Sequence, residues 1–201
     1  MMHTIAEEPQ LFTTNEFYKI NDEETPQAER LAAYLMGRFK PRSVVDIGCA
    51  SGLYLRPFWG EGIQVKGYEI ADDAVLSASI PKSLIDIVDI TVNDMQFEVS
   101  DITLCLEVLE HIHETDAWHT VKNICNKFRS SDLLFFSAAQ PGQGGYGHIN
   151  CQPKSYWETL FKQNGLKRNV VEEQAVIEFM RSGYHMGWFT QNIMVFQVSG
   201  V

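Results

Sequence analysis

One stretch restricts the fold of this chain more than any other: Val44-Val45-Asp46-Ile47-Gly48-Cys49-Ala50-Ser51-Gly52-Leu53. An apolar run of strand length passes into a turn that holds two glycines. Glycine lets a backbone take strained angles and approach a ligand closely, and the free N–H groups of a helix that follows favour an anionic group. The flanking sequence repeats the alternation. Ser43–Ile47, Gly62–Tyr68, Ile85–Val88, Ile102–Leu106 and Leu133–Ser137 read as strands. The fourth of these is apolar throughout, as in a sheet covered on both faces. Thr115–Phe128 reads as a helix with Trp118, Val121, Cys125 and Phe128 on one stripe. Ser155–Asn164 reads as another, with Ser155 and Glu158 as a capping box and Gly165 just past its end. Val170–Glu173 and Ile193–Val198 read as late strands. Upstream, Thr25 is the expected N-cap and Pro26 the first position of a helix that carries Leu31, Tyr34, Leu35 and Phe39 and stops at Pro41. Residues 1–20 read as a loosely ordered arm from which Phe12, Phe17 and Tyr18 can dock, and Asn21 to Glu24 as solvated. Strands alternating with helices imply a largely parallel sheet, which binds ligands at the carboxyl ends of its strands.

Composition narrows the function. A chain of 201 residues, 45% hydrophobic and 21% charged, suits one globular domain, 1–201, with residues 1–24 as its arm. No apolar run approaches the ~20 residues that cross a bilayer, and the acidic start MMHTIAEEPQ has neither a basic n-region nor an apolar h-region, so no secretory signal is expected. Cys49, Cys105, Cys125 and Cys151 are widely spaced, with no CxxC pair, so neither a disulfide framework nor a thiolate zinc site is expected. The cytoplasm is the expected compartment. A net charge of −10 and no basic run longer than two residues argue against nucleic acid as a partner.

The glycine turn is not the G-x-G-x-x-G of nicotinamide enzymes. It resembles the D-x-G-x-G-x-G motif of class I S-adenosylmethionine (SAM)-dependent methyltransferases, with Ala50 in place of the middle glycine. Three further segments resemble that family in the same order: Glu69-Ile70 at the end of the second strand, Asp89-Ile90-Thr91 after the third, and Asp101 to Ile112 across the fourth, of the form D-x-x-x-x-x-E-V-x-E-H. The resemblance covers roughly residues 25–140. It implies a three-layer αβα Rossmann-like fold, a mostly parallel seven-stranded sheet with an antiparallel last strand. It also implies S-adenosyl-L-methionine as cofactor. In that reading Asp46 orders the loop and the methionine ammonium. Gly48, Cys49, Ala50, Ser51 and Gly52 lie against the cofactor. Glu69 takes the ribose hydroxyls and Ile70 lies under the adenine. Asp89 and Ile90 meet the adenine edge, with Asp86 and Asp94 as rivals for Asp89, and Leu106 and Glu107 end the fourth strand beside the cofactor.

Glu107, Glu110, His111 and His148 could hold a divalent metal, as an E-x-x-E-H segment does in ubiquinone-type and small-RNA 3′-end methyltransferases. Cofactor-side and structural roles account for them more simply, and no metal is expected. The glycine-dense loop Gly142 to Gly147 is expected to be mobile when empty and to face a small-molecule or sugar-like acceptor, with Tyr146 and His148 as candidate catalytic residues and His111 beside them. Phe179, Tyr184, Trp188 and Phe189 are expected to help build the acceptor pocket of a monomer or homodimer. A SAM-binding partner protein that has lost catalysis is the rival from a different class.

Overall fold

The computed structural model describes residues 13–129 and 132–199. Phe12 and the start MMHTIAEEPQ lie outside the described residues. The chain runs α1 (Thr14–Phe39), β1 (Ser43–Ile47), α2 (Arg56–Gly60), β2 (Gln64–Glu69), α3 (Asp72–Leu76), β3 (Ile85–Ile87), β4 (Ile102–Leu106), α4 (Glu114–Cys125), β5 (Leu133–Ser137), α5 (Lys154–Gln163), β6 (Leu166–Arg168), α6 (Val170–Arg181), α7 (Gly187–Asn192) and β7 (Met194–Val198). The strands form one seven-stranded sheet in the order β3-β2-β1-β4-β5-β7-β6. Strands β1 to β5 pair in parallel, and β7 runs antiparallel to both of its neighbours.

Strand pleating explains why β1, β4 and β5 read as continuous apolar runs. Alternate side chains enter two different cores. Val45, Ile47, Cys105, Leu134 and Phe136 pack with Ala117, Val121 and Ile124 of α4 and Trp157 and Phe161 of α5. Val44, Ile102, Leu104 and Phe135 pack on the opposite face with Leu31 and Leu35 of α1, Phe58 of α2 and Val176 of α6. Each such large buried side chain contributes about 1.5–3 kcal/mol relative to exposure. Successive strands step outward from β1 in one direction and from β4 in the other, so the crevice between the ends of β1 and β4 is the switch point at which such sheets bind ligands.

Four expectations are corrected. The helix does not begin at Thr25, and residues 14–24 are no loose arm. Helix α1 starts at Thr14, and the N–H of its cap Thr13 donates to Glu16 Oε2 at 2.6 Å, with Pro26 inside the helix. An interior proline costs a helix about 3 kcal/mol. The segment before it is pinned sideways instead: Thr14 bonds Asp73, Ser51 bonds Asn21, and Phe17 is buried against Ala71 and Ala74. Residues 170–173 are not a strand. Asn169 caps α6 by accepting from the Glu172 N–H at 3.1 Å, and the late strand is β6, just upstream. Helix α5 begins at Lys154 after Pro153, which puts Ser155 inside the first turn rather than at a cap. Trp118 is half-exposed on the outer side of α4, whose packed side runs through Ala117, Val121 and Ile124.

Candidate active site

The carboxyl ends of β1, β2, β3 and β4 open into one cavity of about 570 Å³. Asp46, Gly48, Cys49, Ala50 and Ser51 line it from the glycine loop, Glu69 and Ile70 from β2, Asp89 and Ile90 from β3, and Leu106 and Glu107 from β4. Gly52 does not line it. A Cβ there would meet Ile80 at 2.8 Å, so its φ of +76° serves the turn itself. Asp86 and Asp94 also lie outside the lining, and Asp86 pairs with Lys66 at 2.6 Å.

Glu69 holds the loop together. Its Oε2 accepts from the Ala50 N–H at 2.7 Å, and its Oε1 accepts from the N–H groups of Ile70 and Ala71 at 2.9 and 3.0 Å. Ala50 stands at φ 48°, the left-handed conformation that the family's glycine adopts without strain. The loop keeps that path despite the alanine, because Gly48 and Cys49 donate to Tyr68 O at 2.8 and 3.0 Å and Glu69 anchors the next amide. Asp46 is buried. Its surroundings and nearby Glu69 push its carboxyl up to about 8.

Glu107 also sits in the left-handed region, at φ 52°. Ser137 fixes its backbone, the Glu107 N–H donating to Ser137 O at 3.0 Å and Oγ at 3.1 Å. Asn192 Nδ2 donates to both carboxylate oxygens at 3.0 and 3.1 Å, and Gln143 Nε2 donates to Oε2 at 3.0 Å. Nothing in the residue pattern singles out Asn192, Gln143 or Tyr54. Gln143 and Tyr54 line the cavity and Asn192 packs behind Glu107, placements set by long-range packing.

Beyond Glu107 the chain turns through Val108, Glu110 and His111. Glu110 is fully buried. Its Oε1 accepts from the Ala139 N–H at 3.1 Å, its Oε2 has no hydrogen-bond partner, and burial with nearby Glu107 pushes its carboxyl up to about 8. His111 Nδ1 lies 3.1 Å from Gly147 O, so Nδ1 carries the proton and Nε2 the lone pair. Burial and His148 lower its pKa to about 4, which keeps the ring neutral. The rings of His111 and His148 meet edge to face at 5.0 Å, and His148 Nε2 is 4.0 Å from Glu110 Oε1. One donor atom from each of Glu110, His111 and His148 lies within 4.8 Å of the others, a group able to hold a metal ion. Both histidines line the cavity. Tyr146 does not, and is 44% exposed. Of the four aromatics expected at the acceptor, Trp188 alone lines the cavity. Phe189 is in the core, Phe179 packs under Arg30, and the Tyr184 hydroxyl donates to Glu23 O at 3.1 Å. Glu24, expected to be solvated, lines the cavity from α1.

A sequence model described as a methyltransferase domain matches residues 20–173. The chain belongs to the class I SAM-dependent methyltransferases. It is 26% identical over 129 residues to a ubiquinone biosynthesis O-methyltransferase of Nitrosomonas europaea, a match over 61% of this chain and 50% of that protein. A protein of the same name from Glaesserella parasuis is 33% identical over 108 residues, 48% of this chain and 44% of that one. The chain thus spans about half the length of the curated relatives it matches. Among solved structures, a sugar N-methyltransferase from Streptoalloteichus aligns over 100% of this chain and 98% of its own, with a TM-score of 0.68 and 12% identity. An amino pentose methyltransferase from Micromonospora echinaspora, solved with SAM bound, aligns over 96% and 100%, with a TM-score of 0.65 and 15% identity. At those identities the structures establish the methyltransferase fold alone. Among the described residues no helix is long and apolar enough to cross a membrane.

Proposed function

We propose that this chain moves the methyl group of SAM to an oxygen or nitrogen of a small-molecule or sugar-like acceptor by in-line displacement. One observation carries the reading: the glycine loop, the four strand ends, His148 and Trp188 all face the same cavity, so donor and acceptor can share it. Its volume of about 570 Å³ is that of a ligand site. Its chemistry also fits the cofactor, a net cation, because carboxylates line the cavity while no lysine or arginine does so among the described residues. Asp46, Gly48, Cys49, Ala50 and Ser51 would hold the methionine part, Glu69 the ribose, and Ile70, Asp89 and Ile90 the adenine, with Leu106 and Glu107 alongside. Bound SAM supplies an electrophilic methyl group on a sulfonium. The protein aligns the acceptor and excludes water, and His148 accepts a proton where the acceptor must lose one. His111, neutral and fixed by Gly147, orients His148. Tyr146 reaches the acceptor only if the loop Gly142 to Gly147 closes. The same reading takes the 201 residues as one domain acting in the cytoplasm as a monomer or homodimer, in keeping with four free cysteines. Release of S-adenosylhomocysteine, measured against a panel of hydroxyl and amine acceptors, tests it. Stoichiometric cofactor binding with no release for any acceptor supports the inactive partner protein instead.

A second reading, metal-dependent O-methyl transfer, is favoured by the cluster of Glu110, His111 and His148 and by the unpartnered Glu110 Oε2. One carboxylate and two imidazoles suit a divalent transition metal. Such an ion would be held by these three residues and would polarise an acceptor oxygen. The net charge of −10 still weighs against an RNA acceptor.

A further inference from the structure

Six carboxylates line the cavity: Glu24, Asp46, Glu69, Asp89, Glu107 and Asp116. Five have a place in the architecture already described or in a local turn. Asp46 and Glu69 belong to the glycine loop, Asp89 Oδ1 accepts from the Thr91 N–H and hydroxyl at 2.8 and 2.7 Å, Glu107 is held by Asn192 and Gln143, and Asp116 lies in the first turn of α4. Glu24 has no such place, yet it is built in with care. The Tyr54 hydroxyl donates to Glu24 Oε2 at 2.8 Å, Gln27 Nε2 donates to the Tyr54 oxygen at 2.6 Å, and Gln27 Oε1 accepts from the Met186 N–H at 2.6 Å. Gln27 is fully buried. Glu24 Oε1 takes no hydrogen bond from a described residue.

The chain of bonds also fixes where Glu24 stands. Phe17 packs with Ala50 and Ala71, at the loop and ribose end of the cavity. Glu24 is two turns further along α1, roughly 10 Å away. There it shares the wall with Tyr54 and with Trp188, two residues past Met186 on α7. Glu107 is near enough to add to the charge felt by Glu24. A half-engaged carboxylate bonded by a tyrosine, in a cavity that a tryptophan also lines, is a setting that receives ammonium groups, by charge-assisted hydrogen bonding and by cation–π attraction. Among the described residues no lysine or arginine lines the cavity to compensate an anionic acceptor. Burial raises the Glu24 carboxyl to about 6, against the opposing Tyr54 bond, and leaves it ionised at neutral pH.

We propose that Glu24 is the specificity-determining residue that recognises an amine on the acceptor, so that the cavity takes basic, nitrogen-bearing small molecules and rejects anionic ones. The inference rests on the reading of this cavity as a methyltransferase site and narrows its acceptor class.

The test uses protein loaded with S-adenosylhomocysteine and titrated by calorimetry with benzylamine, benzyl alcohol and benzoate, three probes alike in shape and different in charge. Benzylamine is expected to bind at least about tenfold tighter than benzyl alcohol, with benzoate weakest. Glu24→Gln is expected to abolish the preference and leave S-adenosylhomocysteine affinity and the thermal midpoint unchanged. Glu24→Asp, which keeps the charge, retains part of the preference and serves if the glutamine variant is unstable. Equal binding of amine and alcohol by the wild type overturns the proposal, as does a preference that survives in Glu24→Gln. A loss of S-adenosylhomocysteine affinity in Glu24→Gln also overturns it, by placing Glu24 on the ammonium of the cofactor. A parallel turnover assay with SAM separates the two levels: methylation of alcohols but not amines removes the amine assignment and leaves the proposed function standing, whereas no turnover with either removes both.

Discussion

Asn192 and Glu107 meet across the mouth of β4: a single amide nitrogen, Asn192 Nδ2, donates to both oxygens of the Glu107 carboxylate at 3.0 and 3.1 Å. Asn192 is fully buried, its own Oδ1 has no partner, and Nδ2 also donates to Gln143 Oε1 at 2.9 Å. The end of α7, the glycine-rich loop and the end of β4 are thereby joined at one carboxylate. Removing donors from a desolvated carboxylate costs about 1–3 kcal/mol. Asn192→Ala should therefore lower stability by that amount, read as a drop in denaturation midpoint. Asn192→Asp should cost more at neutral pH than in mild acid, where one of the two facing carboxyls can take a proton. An aspartate variant as stable as wild type at neutral pH would show that the contact carries no energy.

His148 lines the cavity, and the proposed mechanism gives it the acceptor's proton. His148→Ala is expected to reduce turnover by roughly 10²–10⁴-fold, the usual worth of a positioned base, while leaving SAM affinity nearly unchanged. The thermal midpoint must be checked first, because Ile149 and Asn150, its neighbours in sequence, bond the Glu110 carbonyl. A stable variant with wild-type turnover would make His148 a turn residue.

Burial and Glu69 hold the Asp46 carboxyl at about 8, far above its ordinary 3.8. Without cofactor the protein therefore carries a proton on Asp46 below that pH. A cationic cofactor favours the ionised form, so binding expels the proton. SAM affinity should rise with pH between about 5 and 7, by up to tenfold per unit, and level off toward 8. Calorimetry in buffers of different ionisation enthalpy would detect the released proton. Asp46→Asn should flatten the profile, and a profile unchanged in that variant would exclude Asp46 as its source.

Chelation decides between the two mechanistic readings. The metal-independent reading expects turnover to persist after EDTA treatment. Loss of turnover, restored by magnesium or manganese, would shift the assignment to Glu110, His111 and His148 as ligands, and substituting any one of them should then weaken the restoration.

Much of the architecture could be read from residues, for a physical reason. β1, β4 and β5 are buried on both faces, so Val44 and Val45, or Phe135 and Phe136, must both be apolar although they enter opposite cores. The glycine loop and Glu69 were readable because backbone geometry and a strand-end carboxylate leave a fixed spacing. Other features depend on contacts between distant segments. Pro26 reads as a helix start, and only the side contacts of Thr14, Phe17 and Asn21 show that α1 runs through it. Val170 and Val171 have strand propensity, but Asn169 caps a helix and Val171 stays exposed. Glu24 reaches the cavity, and Asn192 reaches Glu107, through packing that no local pattern encodes.

The central claim, that this cavity is a SAM site anchored by Glu69, is tested most directly by calorimetric titration of S-adenosylhomocysteine into wild type and Glu69→Ala. Glu69 ties three backbone amides of the loop and its own strand end, and it is assigned to the ribose. The account predicts one-site binding to wild type, no binding of NAD, and a loss of about 1–3 kcal/mol in the variant, roughly fivefold to 150-fold in affinity. No binding by folded wild-type protein, or equal affinity in the two proteins, would contradict it.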